Sequence, residues 1–250
     1  MGKTSKESRF NIPGKIGWIT MEAPGTIALI YCMSTIPAEG FSSLPLENLI
    51  LGGLFSIHYL NRALIGPIIN PSMAPMSPLV WLFALSFQLM NGISIGGWLA
   101  GYGPTTLQQL KGEMNVSFTT KFQAGVLIWA LGLLGNIWHD DELRQIRRDA
   151  AKEQKQKEKE DGARTGIEKV YKIPENGLFR WIFFPHYLCE WIEWGGFWLA
   201  AGSRCTPARS FLLNEIATML PRAIQGKEWY EKKFGREKVA GRKAVIPVII

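Results

Sequence analysis

Histidine and cysteine are scarce in this chain, with three of each in 250 residues. Cys32, Cys189 and Cys205 are odd in number and lack C-x-x-C spacing, so buried reduced thiols are expected. His58, His139 and His186 are too few for the several histidine boxes of membrane desaturases and hydroxylases. That class is excluded, and no metal site is expected. No convincing Cys–His pair supports a cysteine-based acyltransferase. Also missing are a G-x-G-x-x-G fingerprint, a P-loop and any internal repeat. The first residues, Met-Gly-Lys-Thr-Ser-Lys-Glu-Ser-Arg, hold no apolar core, so no cleavable signal peptide is expected. Lys6 stands where N-myristoylation wants a hydroxyl residue, which excludes that anchor.

What is present is segregation. Charge concentrates in residues 1–15, 139–172 and 225–243, and the rest is apolar and rich in Trp and Phe. Membrane proteins separate charge from apolar sequence in this way. Six apolar stretches approach the ~20 residues that cross a bilayer: 16–34, 48–70, 77–101, 119–138, 178–202 and 207–224. The first and last contain Pro and polar residues, and a re-entrant path is the alternative for each. An all-α, multi-pass helical bundle of about six spans is expected, as one membrane-embedded domain over residues 1–250.

The loops orient it. Lys3, Lys6, Arg9 and Lys15 precede the first span, ten Lys and Arg lie in 139–177, and seven more follow the last span. The alternate loops hold only Lys111 and Arg204. Six spans with both termini cytosolic place every strongly basic segment on one side. The net charge of +7 is accounted for by these flanks, and no nucleic-acid partner is expected. Residues 150–166 are low-complexity and charged. They are expected to be a cytosolic loop insert, either solvated or a frayed extension of the fourth helix.

The spans are not purely apolar. An ionisable group at membrane depth costs roughly 2.5–3.5 kcal/mol on insertion scales, so each asks for a partner or a role. Glu22, Tyr59, Arg62, Asn91, Asn136, Asp140, His186, Glu190, Glu193, Asn214, Glu215 and Arg222 all fall in or at the end of spans. Asn136, Asp140 and Arg144 repeat at i, i+4, i+8, and His186, Glu190 and Glu193 at i, i+4, i+7, each set on one helical face. Pairing as glue between helices accounts for some of them. Acids in four spans point to a polar cavity opening to the cytosolic side. Arg and Lys beside acids there suit a phosphate-bearing cofactor, with Asn, Asp and Glu for ribose hydroxyls and amides.

Several short motifs follow in order. They are Trp18-x-x-x-Glu22-x-Pro24, His58-Tyr59-x-x-Arg62, Asn91-Gly92, and Asn136-Ile137-x-x-Asp140-x-x-Leu143-Arg144-x-x-Arg147. Next come Tyr171-Lys172-Ile173-Pro174-x-x-Gly177-Leu178-Phe179 and Tyr187-Leu188-x-Glu190-x-x-Glu193-Trp194-x-Gly196. Trp229-Tyr230 and Arg242-Lys243-Ala244-x-Ile246-Pro247 close the series. In this order and spacing the chain resembles the steroid 5α-reductase (3-oxo-5-alpha-steroid 4-dehydrogenase) family over nearly its whole length. Its C-terminal half resembles, more faintly, the enoyl-CoA and polyprenol reductases and the isoprenylcysteine methyltransferases.

The resemblance implies a helical bundle in the endoplasmic reticulum membrane that holds NADPH and reduces the Δ4 double bond of a 3-oxo steroid or related enone lipid. No obligate protein partner is implied. Glu22 and Tyr59 match the catalytic positions, with Tyr59 donating to the ketone and Glu22 sharing the proton and orienting it. Asn136, Asp140, Arg147, Tyr171, Lys172, His186, Glu190, Arg222 and Tyr230 match the cofactor side. The chain departs from the pattern in places. The family's first membrane helix has no counterpart, Met21 replaces a polar residue beside Glu22, and Gly226 replaces a His near Tyr230. His186 stands where many relatives have Asn. The alternatives are a reductase of the same fold acting on an enoyl-CoA or polyprenal, a methyltransferase using S-adenosylmethionine, and an inactive scaffold.

Overall fold

The structure, a computed structural model, describes residues 8–106, 108–110, 118–161 and 171–249. Among them every extended regular element is a helix, and β pairing is limited to two isolated bridges. The helices are α1 (Gly14–Thr35), α2 (Leu46–Ile69), α3 (Pro78–Tyr102), α4 (Phe118–Asp161), α5 (Pro185–Ala201), α6 (Thr206–Phe234) and the short α7 (Arg236–Val239). The all-α bundle expected from the apolar runs is what forms.

Helices α1, α2, α3 and the Thr119–Glu153 part of α4 are each long and apolar enough to cross a membrane. The 22 residues of α1 rise about 33 Å, against a hydrocarbon core of about 30 Å. Pro24 removes one backbone donor, yet α1 runs continuously through it, so the re-entrant alternative does not hold there. The fifth stretch differs from expectation. Its first residues form a 3₁₀ turn, Gly177–Arg180, and α5 begins only at Pro185, leaving 17 helical residues or about 26 Å. The sixth, expected over 207–224, continues through Pro221 to Phe234 and ends in the basic pair Lys232–Lys233. Of the two forms expected for the charged stretch, the extension of the fourth helix is the one found as far as Asp161, in a helix of 44 residues. The remainder of 150–166 lies outside the described residues.

The interior is mainly apolar, but large apolar side chains also face outward and a set of polar ones is buried. Ile27, Phe83 and Leu134 are each more than 60% exposed, as hydrocarbon-facing residues would be. Glu22, His58, Gln88, Asn91, Asn136, His186, Glu190 and Glu193 are buried.

The chain divides into two compact units. One holds the chain up to Leu133 together with Trp191–Ile216, and is called the first unit. The second holds Leu134–Glu190 together with the chain from Ala217 onward. In the first unit α1 packs chiefly on α3. The contact is close because both helices present glycine: a Cβ on Gly92 would collide with the Gly25 backbone. Ser77 caps α3 by accepting from the Leu79 N–H, and Pro78 occupies the first turn where no donor is needed. Helix α2 changes to a π turn at Leu60–Ile65, directly after Tyr59, and α3 does so at Trp98–Tyr102. Asn48 donates to the Leu99 and Pro104 carbonyls at 2.7 and 2.9 Å, satisfying backbone groups at the second π turn. In the second unit, Phe183 and Phe184 N–H donate to the Lys243 and Ala244 carbonyls at 2.9 Å each, pinning the C-terminal segment beside the 3₁₀ turn.

Candidate functional site

In the first unit, helices α1, α2 and α3 bring Glu22 and Tyr59 into one network of buried polar groups. Asn91 Nδ2 donates to Tyr59 Oη at 3.3 Å. Gln88 lies three residues earlier on the same face of α3 and donates through Nε2 to Glu22 Oε2. Arg62 Nε faces Glu22 Oε1 at 3.8 Å. The Trp18 indole holds Arg62 from two sides: its N–H donates to the Arg62 carbonyl at 3.0 Å, and its ring underlies the guanidinium at 5.4 Å. The motif residues Trp18, Glu22, Tyr59, Arg62 and Asn91 thus form one connected set.

Tyr59 is 2% exposed and walled by aromatic rings, with centroids of Phe55 at 4.6 Å, His58 at 4.8 Å and Trp194 at 6.2 Å. His58 Nδ1 lies 2.7 Å from Glu193 Oε1, and the two side chains are 3% and 0% exposed. This pair ties α2 to α5 one residue before the catalytic candidate. Helix α4 also comes close to α5 at this residue, since a Cβ on Gly132 would meet the Cα of Glu193 at 2.6 Å. The i, i+4, i+7 face of α5 therefore does not serve one cluster. Glu193 pairs with His58, while Glu190 meets Asn136.

That second cluster lies in the second unit. Asn136 Nδ2 donates to the His186 carbonyl at 2.9 Å and to Glu190 Oε2 at 3.3 Å, with all three residues buried. Asp140 is half-buried and faces Arg144 at 3.7 Å, and Arg144 is itself 4% exposed. His139 Nδ1–H donates to the Gly135 carbonyl at 2.6 Å, and Nε2 accepts from the Leu178 N–H at 3.3 Å. Cys189 Sγ lies 3.8 Å from the same Nδ1, but both ring nitrogens are already engaged, which argues against a Cys–His nucleophile. All three cysteines are free and buried, as expected.

A more exposed aromatic and basic group completes the second unit. Tyr230 stacks on Phe183 at 4.7 Å, Tyr171 meets Trp229 edge-on at 4.8 Å, and Lys233 lies 5.5 Å over the Tyr171 ring. Burial raises the Tyr230 phenol above its ordinary value, and the charges of Arg147 and Arg242 oppose this. Arg242 donates to the Pro174 carbonyl at 2.8 Å. Arg147 and Arg222 are exposed. Lys172 pairs with Glu153 at 2.7 Å on the surface. Among the described residues Arg222 has no ion pair, and it joins neither cluster.

The donor set is chemically compatible with a nicotinamide cofactor in general. Arg147, Lys233 and Arg242 supply positive charge beside flat rings for phosphates and a base, and Asn136 with Glu190 supplies amide and acid groups for hydroxyls. No group of three His, Cys, Asp or Glu side chains suited to a metal is found among the described residues.

Sequence reasoning missed Gln88 and the His58–Glu193 pair. Gln88 carried a usable signal, being polar inside an apolar span and three residues before Asn91. The His58–Glu193 contact joins positions 135 residues apart and has no local signature.

Fold and site thus define a helical membrane protein whose buried acid, phenol and amides sit among lipid-facing helices. The sequence profile of the family described as 3-oxo-5-alpha-steroid 4-dehydrogenase matches residues 74–250. The chain is 36% identical to the Schizosaccharomyces pombe uncharacterized protein C9.08c, over 100% of this chain and 90% of that protein. It is 29% identical to the Bos taurus 3-oxo-5-alpha-steroid 4-dehydrogenase 1 and 29% to the Solanum lycopersicum steroid 5-alpha-reductase DET2. Each of these matches spans 98% of this chain and 85% of the relative. The chain belongs to the 3-oxo-5-alpha-steroid 4-dehydrogenase family, a family of oxidoreductases.

Proposed function

We propose that this protein reduces the Δ4 double bond of a 3-oxo steroid with NADPH, in the endoplasmic reticulum membrane and with both termini cytosolic. The observation that carries the reading is the buried Tyr59 phenol, connected through one turn of α3 to Glu22. Asn91 donates to Tyr59 Oη, so the phenol's own proton is turned toward another acceptor. A steroid ketone oxygen is such an acceptor. Negative charge grows on that oxygen as hydride reaches C5, and a donor fixed in a water-poor site stabilises it. The enolate then takes up a solvent-derived proton at C4, so one hydride and one proton saturate the bond, and Glu22 orients the phenol that held the oxygen. NADPH supplies the hydride when bound. Asn136, Asp140, Arg147, Tyr171, Lys172, His186, Glu190, Arg222 and Tyr230 are the residues assigned to hold it. Within this set Asn136 bonds Glu190, and Tyr230 stacks on Phe183 with the Arg147 charge acting on it.

The test uses membranes carrying the full chain, given NADPH and progesterone or testosterone. Steroid-dependent NADPH oxidation is expected. Oxidation with an enoyl-CoA or polyprenal alone would move the substrate within the same fold. Methyl transfer from S-adenosylmethionine that is indifferent to Glu22 and Tyr59 would replace the reading altogether.

A further inference from the structure

Gln88 is an amide buried in an otherwise apolar helix, and it is the partner α3 provides for Glu22. Met21, the neighbour of Glu22 on α1, is buried and apolar, so that position offers the acid nothing. Holding the carboxyl falls to Arg62 from α2 and Gln88 from α3. The acid also sets which way the amide points, because only its NH2 end can donate to a carboxylate oxygen. Gln88 Oε1 is then left buried without a hydrogen-bond partner. Most buried side-chain polar atoms have a hydrogen-bond partner. The Gln88 amide lies between the two catalytic candidates, bonded to the Glu22 carboxyl and interacting with the Tyr59 side chain. Asn91, one turn further along α3, fixes Tyr59, so a single helical turn sets both the acid and the phenol.

We propose that Gln88 is a positioning residue that acts through Glu22, holding its carboxyl in the orientation used at the carbonyl. This rests on the reading of Glu22 and Tyr59 given above. The test measures NADPH oxidation with progesterone by the full chain in membranes, for Gln88→Leu, Gln88→Glu, Glu22→Gln and the double variant Glu22→Gln/Gln88→Leu. Gln88→Leu is expected to lower kcat at least tenfold with the KM for NADPH unchanged, and to cost nothing further in the Glu22→Gln background. Gln88→Glu is expected to regain activity as pH falls, when the two facing carboxyls share a proton and an O–H replaces the amide donor. Full activity of Gln88→Leu beside a dead Glu22→Gln overturns the proposal and leaves the site reading intact. Full activity of Glu22→Gln overturns both. Equal losses from Gln88→Leu in the two backgrounds assign a packing role and overturn the proposal. Should Gln88→Leu fail to bind NADPH, the pH profile of Gln88→Glu decides, and no regain at low pH overturns it.

Discussion

The polar residues of the first unit and those of the second are handled in opposite ways. Around Glu22, Tyr59, His58 and Glu193, each polar side chain is buried and several are tied to a partner on another helix. Around Arg147, Tyr171 and Tyr230, the groups are half-buried or exposed, with Tyr230 stacked on Phe183 and Tyr171 edge-on to Trp229. The difference matches the roles proposed for each set. Polarising a ketone needs a fixed donor in a low dielectric, where reorienting water cannot screen it. Holding a charged cofactor needs accessible cations and flat surfaces that a soluble molecule can reach.

The largest effect is expected where burial is greatest. Tyr59→Phe removes the phenol donor and keeps the ring packing, so kcat should fall about 10²–10³-fold, as for loss of an oxyanion donor. Steroid-dependent NADPH oxidation measures it, and unchanged turnover would sink the polarisation mechanism. Next comes the buried pair. Replacing Glu193 alone with Leu leaves His58 without its acid and should cost about 3–5 kcal/mol. The double change His58→Leu/Glu193→Leu should cost less than the sum of the singles, read from thermal unfolding in detergent. Additive losses would show that the two residues do not act as a unit.

On the accessible side the effects should be smaller and confined to the cofactor. Arg147→Ala is expected to raise the KM for NADPH about tenfold, roughly one charge-assisted contact, and to leave kcat nearly unchanged. A fall in kcat with no change in KM would move Arg147 out of the cofactor set. The smallest effect concerns Tyr230, whose folded-state value is raised by burial. The stability it contributes is fully present below the ordinary phenol value of about 10 and is lost as pH rises through the folded value. Unfolding followed from pH 8 to 11 should show the wild type losing this increment and Tyr230→Phe lacking it. An identical slope in both would show that the Tyr230 phenol does not titrate differently in the folded protein.

The sequence determined more of this protein than its near-even mix of apolar and polar residues suggests. Charge segregation and apolar run length dictated membrane helices, because no other arrangement satisfies the backbone of a ~20-residue apolar run in lipid. Helical spacing put Asn136 and Asp140, and His186 and Glu190, on single faces. Ordered motifs led to the family and to Glu22 and Tyr59. Local pattern did not set the length of α5, because Pro185 and the preceding 3₁₀ turn start the helix late. Between the solvated loop and the helical extension expected for the charged stretch, the structure has the extension as far as Asp161. Which acid meets which partner was decided by tertiary structure alone. Glu190 and Glu193 lie three residues apart on one face, yet one bonds Asn136 and the other His58. Gln88 acquired its role only when glycine contacts between α1 and α3 brought it to Glu22. Periodicity fixes the direction of a side chain, whereas its partner depends on how closely two helices can approach.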